Sequence, residues 1–226
     1  MMPGTVLAGQ GPSGCVYLSH FTSNWRITRP MTSDLLSRPS DSRSRRLKVA
    51  TADIHDRLDS RIMALDPFSA RDRYVRFLRA QHGFHATIAP LYAASGLQAL
   101  FPDLAARARG ALIAADLADL GVTAEDEDTP DLTGIPVAEA LGWLYVAEGS
   151  ALGAAFLLKA AAAIGLDAGF GARHLAGHPD GRAAHWRGFT TVVDGSVMTE
   201  AEDAQMIEGA RAAFARFRML AEAAFA

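Results

Sequence analysis

From about Arg45 to the C-terminus the apolar positions recur at helical spacing, and no stretch alternates in the way of a strand. Val49, Ala52, Ile54, Leu58, Ile62 and Leu65 form the stripe of a first helix over roughly 45–65, closed by Asp66-Pro67. Ser69 with Asp72 three residues later predicts a capping box for a second helix carrying Tyr74, Phe77, Leu78 and Phe84, with a bend expected before Pro90. Pro102-Asp103 opens a third helix that ends at Leu120-Gly121. An acidic, proline-bearing loop from Thr123 to Pro136 precedes a proline-free run, 137–164, read as one long helix. Five residues, Gly169, Gly171, Gly177, Pro179 and Gly181, break the pattern after Gly165. Trp186 and Phe189 mark a short helix, and Thr199 with Glu202 caps a last helix bearing Ile207, Phe214, Phe217 and Leu220. The expected fold is all-α, a single-domain helical bundle.

The long run contains a local contradiction. It is rich in Ala and Leu, yet it holds Gly142, Gly149 and Gly153 in its interior. Each costs a helix about 0.8–1 kcal/mol relative to Ala. Gly149 and Gly153 lie four apart and share a face, which Ser150 and Ala154 extend with small side chains. Glycine on one helix face admits a close approach, either by another helix or by a planar ligand.

Residues 1–42 show no periodicity and are rich in Gly, Ser, Thr, Pro and Arg, which predicts a disordered tail ahead of a helical domain over 43–226. Met31 is a candidate start, since the helical pattern begins soon after it. The 226 residues are half hydrophobic with a net charge of −3, which gives no general pull toward nucleic acid or anionic membrane. Charge or glycine interrupts every run of membrane-spanning length, so a cytoplasmic protein is expected. The lone cysteine, Cys15, lies in the tail and excludes a disulfide framework within the chain. No phosphate loop, nucleophile elbow or zinc-type cysteine spacing occurs. No feature sets the oligomeric state.

His55 lies at the edge of the first stripe, and Asp59 follows at i+4, within reach of the imidazole. A ligating histidine commonly donates its second N–H to such a carboxylate; a surface His–Asp pair has the same spacing. His82 and His85, and His174 and His178, have spacings a metal can use, but no carboxylates or cysteines cluster beside them. Arg43, Arg45, Arg46 and Lys48 form a basic cluster at the start of the first helix, suited to a carboxylate or phosphate.

Several of these pieces stand in one order. They are Ala50-Thr51-Ala52-Asp53-Ile54-His55-Asp56-Arg57-Leu58-Asp59, Tyr74-Val75-Arg76-Phe77-Leu78, Asp116-Leu117-Ala118-Asp119-Leu120-Gly121, Tyr145-Val146-Ala147-Glu148-Gly149-Ser150-Ala151-Leu152-Gly153, and Trp186 with Phe189. Together, across about 45–220, they resemble the heme oxygenases, especially the bacterial biliverdin-producing kind. The resemblance implies a heme oxygenase-like bundle with heme held between the first helix and a glycine-marked distal helix. It implies His55 as the proximal iron ligand, Asp59 as the carboxylate that orients it, and Lys48 as a partner of a heme propionate. It implies Gly149 and Gly153 as the distal glycines over the macrocycle. Ser150 stands where the animal-type enzymes carry an aspartate, and Ala154 where a further glycine is frequent; its methyl is expected to narrow the pocket or tilt the heme. The implied reaction uses O2 and an external electron donor, a ferredoxin or reductase, and yields biliverdin, CO and ferrous iron. The competing reading is a heme-binding carrier or sensor without turnover.

Overall fold

The computed structural model describes residues 42–124 and 129–226. The expected tail and the Met31 start lie outside the described residues. Eight α-helices and one short 3-10 turn make up the architecture, and among the described residues the only strand-like pairing is an isolated bridge pair from Asp167 to Phe170 and Gly171.

Helix α1 spans Arg43–Ala64, with Ser42 as N-cap accepting the Arg45 amide at 3.4 Å. Its buried side is Leu47, Thr51, Leu58 and Ile62. Val49 is 71% exposed, so the first turns of the stripe read from sequence are only partly core. Asp66, at φ 46°, turns the chain out of the helix. Helix α2, Arg71–Ala93, starts differently from the expectation. Ala70 is its N-cap with no side-chain bond, and Ser69 Oγ donates backward to the Asp66 carbonyl at 2.9 Å. The preceding turn claims the hydroxyl, so the Ser69/Asp72 capping box does not form. The helix also continues through Pro90.

The expected third helix is instead three short ones: α3 (Ser95–Leu100), α4 (Leu104–Arg107) and α5 (Gly110–Asp119). The break at Ala108 lets Arg107 turn into the core and Arg109 reach the next helix. Helix α5 ends as the sequence predicts. Gly121, at φ 72°, donates to the Ala118 carbonyl and Val122 to that of Leu117, the paired bonds of a Schellman motif.

Helix α6 is the long one, Val137–Ala162. It is the one described helix long and apolar enough to cross a membrane, and here it packs on other helices of the fold. The 3-10 turn Arg173–Leu175 and α7, Arg182–Gly195, follow. Helix α8, Glu200–Ala224, begins in the predicted capping box, with the Glu202 amide on Thr199 Oγ at 3.3 Å and the Thr199 amide on Glu202 Oε2 at 2.8 Å. Thr199→Ala is expected to cost about 1 kcal/mol, seen as a melting point lower by about 2–4 °C in calorimetry.

Helix α8 is the central packing partner. It lies along α6, α2 and α1, whereas no comparable packing joins α1 directly to α6. The tightest point is where α6 crosses α8. A Cβ on Gly142 would sit 2.0 Å from the Met206 carbonyl oxygen, and one on Gly209 would sit 2.2 Å from the Glu139 carbonyl oxygen. Only paired glycines permit this approach of two backbones.

Candidate functional site

The three glycines of α6 lie at i, i+7 and i+11, on one face. Their surroundings divide them. Gly142 is covered by α8. A Cβ on Gly149 would meet only the Trp186 ring at 3.5 Å, an ordinary contact, and one on Gly153 would meet nothing within 4 Å. Helix packing therefore explains Gly142 and leaves Gly149 and Gly153 unexplained by any protein neighbour. Ser150 continues the exposed strip. Ala154 does not, because it is 2% exposed and its methyl points into the core. The pocket-narrowing effect expected of Ala154 thus has no structural basis.

A second exposed line comes from α1. Lys48, Ala52, His55 and Asp59, at i, i+4, i+7 and i+11, form one exposed line beside the buried face. The His55 side chain is 55% exposed. Its Nδ1 lies 3.3 Å from Asp59 Oδ2 and 3.8 Å from Asp56 Oδ1. An imidazole that donates through Nδ1 to Asp59 presents an unprotonated Nε2 to a ligand. Burial raises the basicity of the Asp59 carboxyl, partly offset by His55 and reinforced by Asp56. From α8, Phe214 meets the imidazole edge-on at 5.9 Å between ring centroids.

Helices α1 and α6 both pack on α8. Val49, and Phe156 at 60% exposed, add apolar surface to α1 and α6. An open glycine strip, an orientable imidazole and exposed apolar side chains suit a flat, largely apolar macrocycle with a metal at its centre. Lys48 is exposed at the start of the same line, placed for an anionic substituent. The structure brings His55 together with Asp59, and Gly149 together with Ser150 and Gly153, as the sequence predicts.

Sequence reasoning missed what holds the strip. Arg109 donates to the Ala147 carbonyl and to Ser150 Oγ at 3.0 Å, and Ser150 Oγ itself donates to Ala147 at 2.7 Å. Arg182 donates to the Ala151 carbonyl at 2.7 Å. Glu148 points inward, where it accepts from Arg107 at 3.1 Å and from the Tyr92 hydroxyl at 3.0 Å. Burial and then the Glu148 charge push the Tyr92 phenol well above its ordinary value. The signal was present: an acid inside an apolar helix needs a buried cationic partner, because a lone buried charge costs several kcal/mol. Nothing in the pattern singled out Arg107 as that partner. Among the described residues no group of three or more His, Cys, Asp or Glu side chains could hold an ion, at His82/His85 and His174/His178 or elsewhere.

Known proteins give this geometry a context. Residues 136–223 match the sequence model of the family described as heme oxygenase. The curated protein heme oxygenase PigA of Pseudomonas aeruginosa is 47% identical over 185 residues, covering 81% of this chain and 93% of its own length. A crystal structure from a study of the NO- and CO-bound heme oxygenase of Neisseria meningitidis superposes with a TM-score of 0.77 at 38% identity, covering 81% of this chain and 92% of that one.

Proposed function

The chain belongs to the heme oxygenase family, and from that premise we propose that it cleaves heme oxidatively, with O2 and externally supplied electrons, to biliverdin, CO and ferrous iron. One observation supports the reading: a Cβ on Gly149 would meet only the Trp186 ring and one on Gly153 nothing within 4 Å, so no protein neighbour requires glycine there and the strip is free for a flat ligand.

Heme is the substrate and supplies the iron at which O2 is activated. His55 would hold that iron through Nε2, with Asp59 orienting the ring through Nδ1. Gly149 and Gly153, without side chains, would let the macrocycle approach the α6 backbone. Ser150 and the Arg109 guanidinium beside it place polar groups next to the glycine strip, where they would order the water that carries protons to the site. Lys48, exposed near the start of α1, would pair with a heme carboxylate. The sequence holds no flavin, dinucleotide or iron–sulfur motif, so the reaction draws electrons from a ferredoxin or a reductase, in keeping with a cytoplasmic setting.

Aerobic incubation of the heme complex with ascorbate or a reductase tests this. Loss of the Soret band with formation of a bilin is the expected result. A persistent Soret band would identify a carrier or sensor instead.

Lys48→Ala is expected to change stability by less than about 0.5 kcal/mol, since the side chain is exposed. Freed in-plane rotation of the heme should give weaker binding or a mixture of biliverdin isomers on chromatography. Unchanged affinity with a single unchanged isomer would count against a propionate contact.

A further inference from the structure

Helix α6 changes character at Gly149. Its first half is sunk in the core through Ala138, Ala140, Leu141, Gly142, Trp143 and Leu144. From Gly149 to Phe156 the one buried side chain is Ala154, a single methyl. The same stretch holds Gly149 and Gly153, each of which weakens a helix relative to Ala. Few buried contacts and two glycines mark the part of α6 with least to hold it closed. Yet a ligand lying on this face needs the backbone at a fixed height, because at a glycine the backbone itself is the wall.

Arg182, at the start of α7, reaches this stretch. Its Nη1 donates to the Ala151 carbonyl at 2.7 Å, midway between the two glycines, and its Nη2 donates to the Leu175 carbonyl of the 3-10 turn. The stem lies against Gly177, where a Cβ would come within 3.4 Å of Arg182 Nε and 3.5 Å of its Cγ. The turn that supplies the second acceptor is itself fastened to α5. Asp116 accepts the backbone amides of Arg173 at 2.9 Å and His174 at 3.0 Å, and Asp119 accepts that of Gly171 at 2.8 Å. A continuous set of bonds therefore runs from α5 through the turn and Arg182 to the middle of the glycine strip. Arg109 makes the equivalent hold one turn earlier, on the Ala147 carbonyl, where α6 is still buried.

Both acceptors of Arg182 are neutral carbonyls. Burial, then the Arg109 charge, lowers its basicity, so the electrostatics of the place oppose a cation and the two carbonyl bonds offset them. The planar fork suits the task, since two donors on one rigid group fix the distance between two backbones. A carbonyl has a second lone pair beside the one its helix amide uses, so the bond to Ala151 adds to the α6 ladder without breaking it.

We propose that Arg182 is a positioning residue for heme cleavage: it pins the α6 backbone between Gly149 and Gly153 to the turn anchored on α5, and so sets how closely the macrocycle is held on that face. The role rests on the heme-cleaving reading above. Arg182 touches no substrate and acts through the Ala151 carbonyl.

Two variants test it. Arg182→Met keeps the stem against Gly177 and removes both donors, whereas Arg182→Lys keeps the charge and a donor for one carbonyl. In the Arg182→Met apoprotein, hydrogen–deuterium exchange of the 151–157 amides should rise on the order of 10–100-fold, the factor of a lost charge-assisted hydrogen bond. Residues 138–147 should exchange as in the parent, and Arg182→Lys should fall between the two proteins. In the heme complex, single-turnover cleavage by Arg182→Met should slow on the order of 10–100-fold, with heme affinity and the ferric Soret maximum near those of the parent. Arg182→Lys should recover part of the rate. A folded Arg182→Met with parental exchange over 151–157, with exchange raised equally over 138–147, or with a parental cleavage rate would overturn the proposal. Should Arg182→Met not fold, Arg182→Gln, whose amide is too short for both carbonyls, carries the same comparison. The exchange arm needs no heme. Failure of the parent protein to cleave heme would instead sink the functional reading and leave the exchange result standing.

Discussion

His55→Ala is expected to abolish heme turnover while leaving the fold nearly unchanged. The side chain is half exposed and makes one edge contact with Phe214, so its removal should cost the apoprotein no more than about 0.5 kcal/mol. Its effect falls on the ligand. Without the proposed imidazole ligand the iron would take water or another weak ligand, and the ferric spectrum should change. Added imidazole is expected to fill the vacated space and restore part of the activity. Asp59→Ala should give a smaller loss, about 10–100-fold, because the ring keeps its position but not its orientation. A spectrum and rate like those of the parent in His55→Ala would remove His55 as the ligand.

The second large effect divides the glycines of α6. Gly142→Ala forces a methyl to within 2.0 Å of a carbonyl oxygen and 2.6 Å of the Ala210 amide nitrogen, so the two helices must separate. Its apoprotein should lose stability at or beyond the top of the ~1–3 kcal/mol range for overpacking. Gly153→Ala meets open space and should gain up to about 1 kcal/mol from helix propensity. Gly149→Leu and Gly153→Leu should likewise leave the apoprotein folded, but their side chains would occupy the proposed distal face, and turnover is expected to collapse. Apoprotein melting and single-turnover cleavage on the same four variants decide the matter. A Gly149→Leu protein that melts early yet turns over normally per folded molecule would overturn the distal assignment.

Much of the scaffold was legible from local pattern. The capping box at Thr199, the Gly121 terminus and the 137–164 run are short-range signals, set by which backbone donors and acceptors a helix end leaves free. His55 and Asp59 were legible for the same reason, since i+4 spacing alone puts them in reach. Ser69 and Asp72 misled because two helix ends compete for one hydroxyl, and the sequence does not rank them. The division of residues 95–119 into α3, α4 and α5 follows from Arg107 turning inward to Glu148, a partner 41 positions away.

The sequence by itself determined an all-helical chain, the glycine face of α6 and the His55 edge of α1, because period and capping are properties of neighbouring residues. Only the tertiary structure decided which glycine serves which purpose. The path of α8 covers Gly142 through Gly209 and then diverges, leaving Gly149 and Gly153 open. It also decided that Ala154 faces the core and that Arg109 and Arg182 hold the strip from its flanks. Each depends on where elements distant in sequence cross, which no local period encodes.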